Sequence, residues 1–433
     1  MTKYHEIQLP PNYLLIWGAE MSERVAYKLG SLGSFIGGVS SISRSDYGHG
    51  TPFITYRNIY KNSKVDVSQL ELMNVSENEL VRRFCIYGDI FFTASSETPT
   101  EVALSSVLLD DVDNLTFNGF SKRLRLHDFS ILKPEYARYY FRSPYFRACM
   151  YERMTGDIRY NISNEGLSGT IVYLPDIPSQ TRIADILSAY DDAIENNNRR
   201  IALLEKAARE LYHEWFVRFR FPGHKNAKIV NGLPEGWEVR PLGDMVNITS
   251  SKRIYLSDYV EEGIPFYRSK EVIQTTNGEA LTEPLYISVN KFKELKNKFG
   301  VPCENDILIT SVGTIGVSFL VDKRVFYFKD GNLTWLQSGA TPKLALYIFL
   351  WLSSNAGQGA LLSSTIGTSQ SALTIENLKR IKLIKPIDMV LSEFYSRVMP
   401  LIELKRTLQS QSQNLARQRD LLLPRLMSGK LEV

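Results

Sequence analysis

The sequence is short of most features that announce a chemistry. Its 433 residues hold three cysteines (Cys85, Cys149, Cys303), far apart and without a C-x-x-C pair. That argues against a disulfide framework or a cysteine-built zinc site and fits reduced thiols, mostly in the core, of a cytosolic protein. No run of about 18 apolar residues occurs, so no membrane span is expected. Met1 to Pro11 lacks the basic-then-apolar pattern of a secretion signal. The net charge of +4 is small for this length, so bulk charge alone does not declare a nucleic-acid partner.

Catalytic signatures are missing too. The one Gly-Lys pair, Gly429-Lys430, has Pro424 where a phosphate-cradling loop needs its first glycine. Leu9-Pro10-Pro11-Asn12 carries the wrong residues for the Asn/Asp-Pro-Pro-aromatic loop of an amino-methyltransferase. His213-Glu214 opens like a zinc-protease motif, but position 217 is valine. The five histidines (His5, His49, His127, His213, His224) do not cluster with the cysteines, and no G-x-S-x-G elbow is present. The expectation is a chain that is not an enzyme, with no catalytic residue, no metal and no cofactor of its own.

What the sequence does have is a long helical seam. Between Pro178 and Pro222, stepping by alternating fours and threes, stand Ile183, Leu187, Tyr190, Ile194, Asn197, Ile201, Leu204, Ala208, Leu211 and Trp215. Such an a/d stripe over several heptads marks a helix that pairs with another long helix. At ~1.5 Å per residue it spans about 60 Å, too long to be covered by one compact domain.

The partner is found through an internal repeat. Leu29-Gly30 recurs as Leu242-Gly243, and Gly50-Thr51-Pro52-Phe53 as Gly263-Ile264-Pro265-Phe266, both at an offset of 213. Asp89-Ile90-Phe91-Phe92-Thr93 is echoed by Asp306-Ile307-Leu308-Ile309-Thr310. The repeat predicts a second seam, which follows as Phe394, Val398, Leu401, Lys405, Leu408, Ser412, Leu415, Arg419, Leu422 and Leu426, with Pro400 bending this helix or marking its start.

The expected architecture is mixed α/β (α+β): two tandem globular domains joined by two long helices that form an antiparallel coiled coil, the whole a pseudo-twofold internal repeat. The expected boundaries are a first globular domain over 1–178, a long helix over 179–218 and a linker over 219–235. A second globular domain over 236–387 and a second long helix with its tail over 388–433 complete the chain. In the first domain, strands are expected at Pro52–Tyr56, Asp89–Thr93 and Gly169–Leu174, and one helix at Pro134–Tyr151.

The apolar frame repeats while the polar loops differ, as if one scaffold presented two readers. Small hydroxyls and backbone amides suit phosphate contacts, and Arg, Asn and Gln suit base edges in a DNA major groove. On that basis the first half contributes Ser43, Arg44 and Tyr47, then Arg57, then Ser95 and Ser96, then Arg159, Tyr160 and Asn161. The second contributes Ser251, Lys252 and Arg253, then Tyr267, Arg268 and Ser269, then Ser311, Gly313 and Thr314, then Thr368, Ser369 and Gln370. Each loop alone is as easily a solvated turn. A bivalent scaffold whose two modules bind protein or another ligand is the competing reading.

Several stretches resemble the specificity subunits of type I restriction–modification systems. They are Gln180-Thr181-Arg182-Ile183-Ala184-Asp185-Ile186-Leu187, Asn196-Asn197-Asn198-Arg199-Arg200-Ile201, Leu233-Pro234-Glu235-Gly236-Trp237 with Leu242-Gly243, and Leu421-Leu422-Leu423-Pro424-Arg425-Leu426-Met427-Ser428-Gly429-Lys430-Leu431. The N-terminus departs from the pattern: Leu9-Pro10-Pro11-Asn12-Tyr13 replaces a Leu-Pro-x-Gly-Trp opening. The resemblance implies two target-recognition domains, each reading half of a split site in double-stranded DNA, with the helices as a spacer that docks two methyltransferase subunits. It further implies two restriction/motor subunits, with S-adenosylmethionine, ATP and Mg bound by those partners and not by this chain.

Overall fold

The computed structural model describes residues 24–40, 43–366 and 371–431. The N-terminal Leu9–Tyr13 stretch and the expected site residues Thr368, Ser369 and Gln370 lie outside the described residues. The chain forms two compact units, one made of residues 1–192 with 415–433 and the other of 193–414. The unit boundaries thus fall inside the long helices rather than at their ends.

In the first unit a four-stranded antiparallel sheet carries the core. Its spatial order is Gly33–Gly37, Ser121–Leu126, Ile90–Thr93, Ser105–Val107. The second unit has the same sheet in the same order: Asn247–Thr249, Leu333–Gln337, Ile307–Thr310, Ser318–Leu320. The central strand is apolar and fully buried in both units, as a strand covered on both faces must be.

A three-stranded group also recurs, with Tyr47–Ile54 between Glu71–Met73 and the parallel Thr116–Phe117. In the second unit Ile264–Tyr267 sits between Leu285–Ile287 and the parallel Tyr327–Phe328. The duplication read from scattered residues is therefore a duplication of topology.

The repeated Asp-Ile-aromatic/aliphatic run has a physical cause. Asp89 and Asp306 are 1 % and 3 % exposed. Each accepts a backbone N–H three residues earlier, from Ile86 at 2.9 Å and from Cys303 at 2.8 Å. Asp89 is further held by Arg125 at 2.7 Å, and Asp306 by the Trp335 indole N–H at 2.9 Å. A buried carboxylate so bonded fixes the turn that feeds the central strand, and the buried charge is tolerated because its oxygens are satisfied.

Some local expectations shift. The predicted helix Pro134–Tyr151 is two helices, Pro134–Tyr140 and Pro144–Tyr151, because Pro144 takes the first position of a new helix capped by Ser143. The linker holds a small hairpin, Ile229–Val230 against Leu233–Pro234, closed by Asn231 and Gly232 at φ 51° and 81°. Asn-Gly with both residues left-handed is the preferred two-residue hairpin turn. Pro400 neither starts nor ends its helix: it is exposed inside Asp388–Ser428.

The first long helix is Ile177–Tyr212, continued by a π-helical turn at His213–Val217. Every position of both seams is buried or half-buried. In the first unit Ile183, Ala184 and Leu187 share a core with Leu426 and Met427, and Asp191 binds Arg419. In the second, Glu205 pairs with Lys405 at 2.7 Å, and Trp215 meets Phe394 at 5.5 Å between ring centroids. In each unit the first helix advances as the second retreats, so the pairing is antiparallel.

Leu187 is fully buried in the seam, whereas Leu203 on the same helix is 66 % exposed. Leu187→Ala should cost roughly 2–5 kcal/mol and Leu203→Ala within about 0.5 kcal/mol, read by thermal or denaturant unfolding of the full chain. Equal effects would mean that the seam is not a packed interface.

Candidate functional site

The repeat brings one turn to the same place in each unit. In the first, the Ser43 N–H donates to Asp46 Oδ2 at 2.9 Å, and Tyr47 leans on Phe53 with centroids 5.9 Å apart. The hydrogen bonds from Ser43 hold Asp46 below the usual carboxylate range. In the second, the Tyr255 N–H donates to Asp258 Oδ2 at 2.9 Å, and Tyr259 leans on Phe266 at 5.5 Å. This corrects the sequence pairing of Ser251, Lys252 and Arg253 with the first loop. The counterparts of Ser43 and Arg44 are Tyr255, at the end of the matched loop, and Leu256 beyond it, 63 % and 87 % exposed; the sequence reading names neither as a contact. The signal was available: Asp46-Tyr47 and Asp258-Tyr259 are themselves repeated.

Arg44 and Arg57 are exposed, and neither makes an intramolecular hydrogen bond or ion pair among the described residues. Ser251, Lys252 and Arg253 are more engaged. Ser251 Oγ donates to the Phe328 carbonyl at 2.8 Å, and the Lys252 N–H donates to Tyr327 Oη at 2.9 Å. Lys252 Nζ lies 4.8 Å from the Phe299 ring centroid, and Arg253 pairs with Asp330 at 3.2 Å while staying 70 % exposed.

Arg268 is not the counterpart of Arg57. It occupies the N-cap of the helix Ser269–Thr276, the place held in the first unit by Thr55, N-cap of Tyr56–Lys61. Its guanidinium grips Glu271, whose side chain is fully buried, and its own N–H donates to Glu271 Oε2 at 2.7 Å. Burial alone would raise the Glu271 carboxyl, but the side-chain and backbone bonds of Arg268 outweigh it and hold the group below its ordinary range. Arg268 is thus committed internally. Tyr267 is 4 % exposed and stacked on Phe326 at 4.3 Å, and Ser311 is 3 % exposed with its hydroxyl 2.6 Å from Thr334 Oγ1. Both are interior residues, not surface contacts. Ser269 is half-buried beside the Asn332 carbonyl at 3.4 Å.

The remaining candidates of the first unit converge. Ser95 and Ser96 form a two-residue strand against Asn161 and Tyr160. Gly156 permits the tight turn that leads into Arg159: at φ +108°, a Cβ there would sit 2.2 Å from the Arg159 carbonyl oxygen. Together Ser95, Ser96, Glu97 and Thr98 with Phe120 and Arg159 line an open cleft of about 400 Å³. Phe120, 57 % exposed, lies under the Arg159 guanidinium at 5.8 Å. The sequence marks the Ser95–Thr98 loop without singling out Glu97 as a contact, and it misses Phe120, because nothing in a single turn shows that two loops meet. In the second unit Val312 bridges Ala372 in the same manner, leaving Gly313 and Thr314 exposed beside it.

Among the described residues, no group of three or more His, Cys, Asp or Glu side chains could hold a metal ion, and no helix is long and apolar enough to cross a membrane. What the geometry offers is a pair of rigid frames carrying different exposed loops.

Comparison with known proteins places the chain in a class. The family model described as the type I restriction modification DNA specificity domain matches twice, over residues 25–206 and 234–411. The chain therefore belongs to the family of type I restriction–modification specificity subunits. It is 28 % identical over 306 residues to the type I restriction enzyme MjaIX specificity subunit of Methanocaldococcus jannaschii, covering 69 % of each chain. It is 21 % identical over 337 residues to the type I restriction enzyme HindI specificity subunit of Haemophilus influenzae, covering 62 % of this chain and 71 % of that one. The crystal structure of the type I restriction–modification S subunit from M. genitalium aligns with a TM-score of 0.56 at 16 % identity, over 93 % of this chain and 96 % of that one, and shares its fold.

Because Arg268 neutralises a buried carboxylate, Arg268→Ala should destabilise the protein. Losing one partner of a fully buried pair costs about 3–5 kcal/mol, and less is expected here since the Arg268 side chain is 33 % exposed. Adding Glu271→Gln should restore much of the loss in thermal unfolding; no recovery would refute the ion-pair role. Since the Glu271 pKa is lowered in the folded state, the pair's contribution is present above the ordinary value of 4.5 and fades as pH falls through the lowered one.

Proposed function

We propose that this chain is the non-catalytic DNA sequence-recognition subunit of a type I restriction–modification complex, each unit reading one half of a bipartite site in double-stranded DNA. The observation that carries this reading is the doubled frame: the same sheet topology and buried aspartate turn occur twice, under loops of different chemistry, and the family match is itself doubled. A protein reading one symmetric site would need no second loop set. Hydroxyls and free arginines such as Arg44 and Arg57 suit phosphate and base contacts.

The paired helices act as the spacer between readers and dock two methyltransferase subunits. A spacer of tens of ångströms corresponds to about one or more turns of B-DNA at ~34–36 Å per turn. Two restriction/motor subunits join that assembly. S-adenosylmethionine, ATP and Mg belong to the partners, and the complex works in the cytoplasm.

Mapping of genomic methylation in a host carrying this chain with its methyltransferase subunits should reveal one bipartite motif. Deleting the gene for this chain should abolish that motif, and its persistence would sink the proposal. If the purified complex showed no sequence-preferring DNA binding at physiological salt, the bivalent scaffold would be the better reading.

A further inference from the structure

The cleft of the first unit holds two opposite charges that do not meet. Glu97 is exposed and makes no hydrogen bond or ion pair with any described residue. Arg159 lines the same cleft, yet its guanidinium rests on the Phe120 ring at 5.8 Å and pairs with no carboxylate. The other nearby acid is already engaged: Ser96 Oγ donates to Glu101 Oε2 at 2.7 Å. A flexible Glu and Arg in an open cleft of about 400 Å³ gain little by closing on each other, so both remain available to a ligand. Here the aromatic ring provides a competing seat for the guanidinium, and the strand pairing of Ser96 with Tyr160 sets the next residues, Glu97 and Arg159, beside each other in the same cleft.

On a DNA-facing surface a free carboxylate repels phosphates, so it has a use only against a donor on a base edge. In the major groove a carboxylate suits the cytosine N4 amine, and a guanidinium suits guanine O6 and N7. One C·G pair presents both, side by side. We infer that this cleft reads a single C·G pair in the half-site of the first unit, with Glu97 accepting from cytosine N4–H and Arg159, seated by Phe120, donating to guanine. The inference rests on the DNA-reading function proposed above.

The second unit lacks this arrangement. Its bridge Val312–Ala372 stands where Ser95 pairs with Asn161, so Gly313 and Thr314 follow where Ser96 and Glu97 stand in the first unit. The charge-complementary reading of C·G is therefore confined to one half-site, and the target is chemically asymmetric.

The test uses the full chain co-expressed with its methyltransferase subunits, with methylated motifs mapped for the native chain, Glu97→Gln and Arg159→Ala. The native motif must contain a C·G pair in one half. Both variants should lower the preference for C·G at one and the same position by about 5- to 150-fold, the range for loss of one good base contact. The other half-site and the spacer length should not change. A glutamine bonds adenine through N6 and N7, so Glu97→Gln should also admit A·T at that position, and Arg159→Ala should not. Effects at two different positions, in both halves, or as a uniform loss of methylation with an unaltered motif would overturn the assignment. Absence of any bipartite motif for the native chain would instead overturn the underlying DNA-reading function. Competition binding of the purified native complex to duplexes carrying each base pair at that position gives an independent readout, in which equal binding of all four pairs would refute the inference.

Discussion

A long helix with an apolar stripe has to find something equally long to cover it, and the rest of this chain is arranged around that requirement. The stripe beginning at Ile183 and ending at Trp215 is buried or half-buried at every seam position, and so is the stripe from Phe394 to Leu426. Within each compact unit the cover comes from the other helix, running the opposite way, and from the domain frame: Tyr212 packs on Tyr347, and Ile183 and Leu187 share a core with Tyr136 and Tyr140. The two charged seam residues are matched: Lys405 meets Glu205, and Arg419 meets Asp191, which also takes bonds from Arg138 and Tyr139. These pairs fix which turn faces which, something an apolar stripe alone specifies weakly.

The domain frames obey a second constraint, the cost of burying a carboxylate. Asp89 and Asp306 are almost inaccessible, and each is tied to the backbone of its preceding turn. Replacing the aspartate would leave backbone donors unpaired beneath the central strand of the sheet. The turn is therefore rigid in both units, and loops that leave the sheet start from the same place whatever they contain. Thr93 and Thr310, also fully buried, close the other end of that strand with hydroxyl bonds to neighbouring backbone. A scaffold with such fixed ends can change its loop chemistry without changing where the loops stand.

Much of this frame was legible in the sequence because it rests on periodicity and repetition, which single residues carry openly. The four-three stepping predicted both seams, and the recurrence of Asp-Ile-x-x-Thr located equivalent central strands. The loops were less legible. Arg57 and Arg268 look alike in sequence, each a few residues past a Gly-x-Pro strand. Yet Arg268 sits at the helix cap and is consumed by the buried Glu271, while Arg57 lies within the matching helix and is free. Tyr267 and Ser311 were polar enough to pass for surface residues but face the interior of the sheet packing. Burial and partnering are long-range facts, and a residue's neighbours along the chain do not report them. For the same reason the cleft of Glu97, Phe120 and Arg159 was invisible: its walls come from three separated loops.

The asymmetry between the loops bears on why a duplicated scaffold is useful. If both units carried the same exposed chemistry, a two-domain chain would read the same half-site twice and would gain affinity without added information. The first unit instead opposes a free carboxylate to a free guanidinium, whereas Gly313 and Thr314 bring no charge to the matching place and the second unit projects Tyr255 and Leu256 where the first has Ser43 and Arg44. Charged contacts discriminate by hydrogen-bond pattern, while aromatic and aliphatic contacts discriminate by methyl groups and shape. Under the proposed function, the two units therefore differ in the kind of information they extract as well as in its content. The selective value of the fold then lies in keeping the frame fixed by buried aspartates and helix seams, so that each loop set can diverge without disturbing the other.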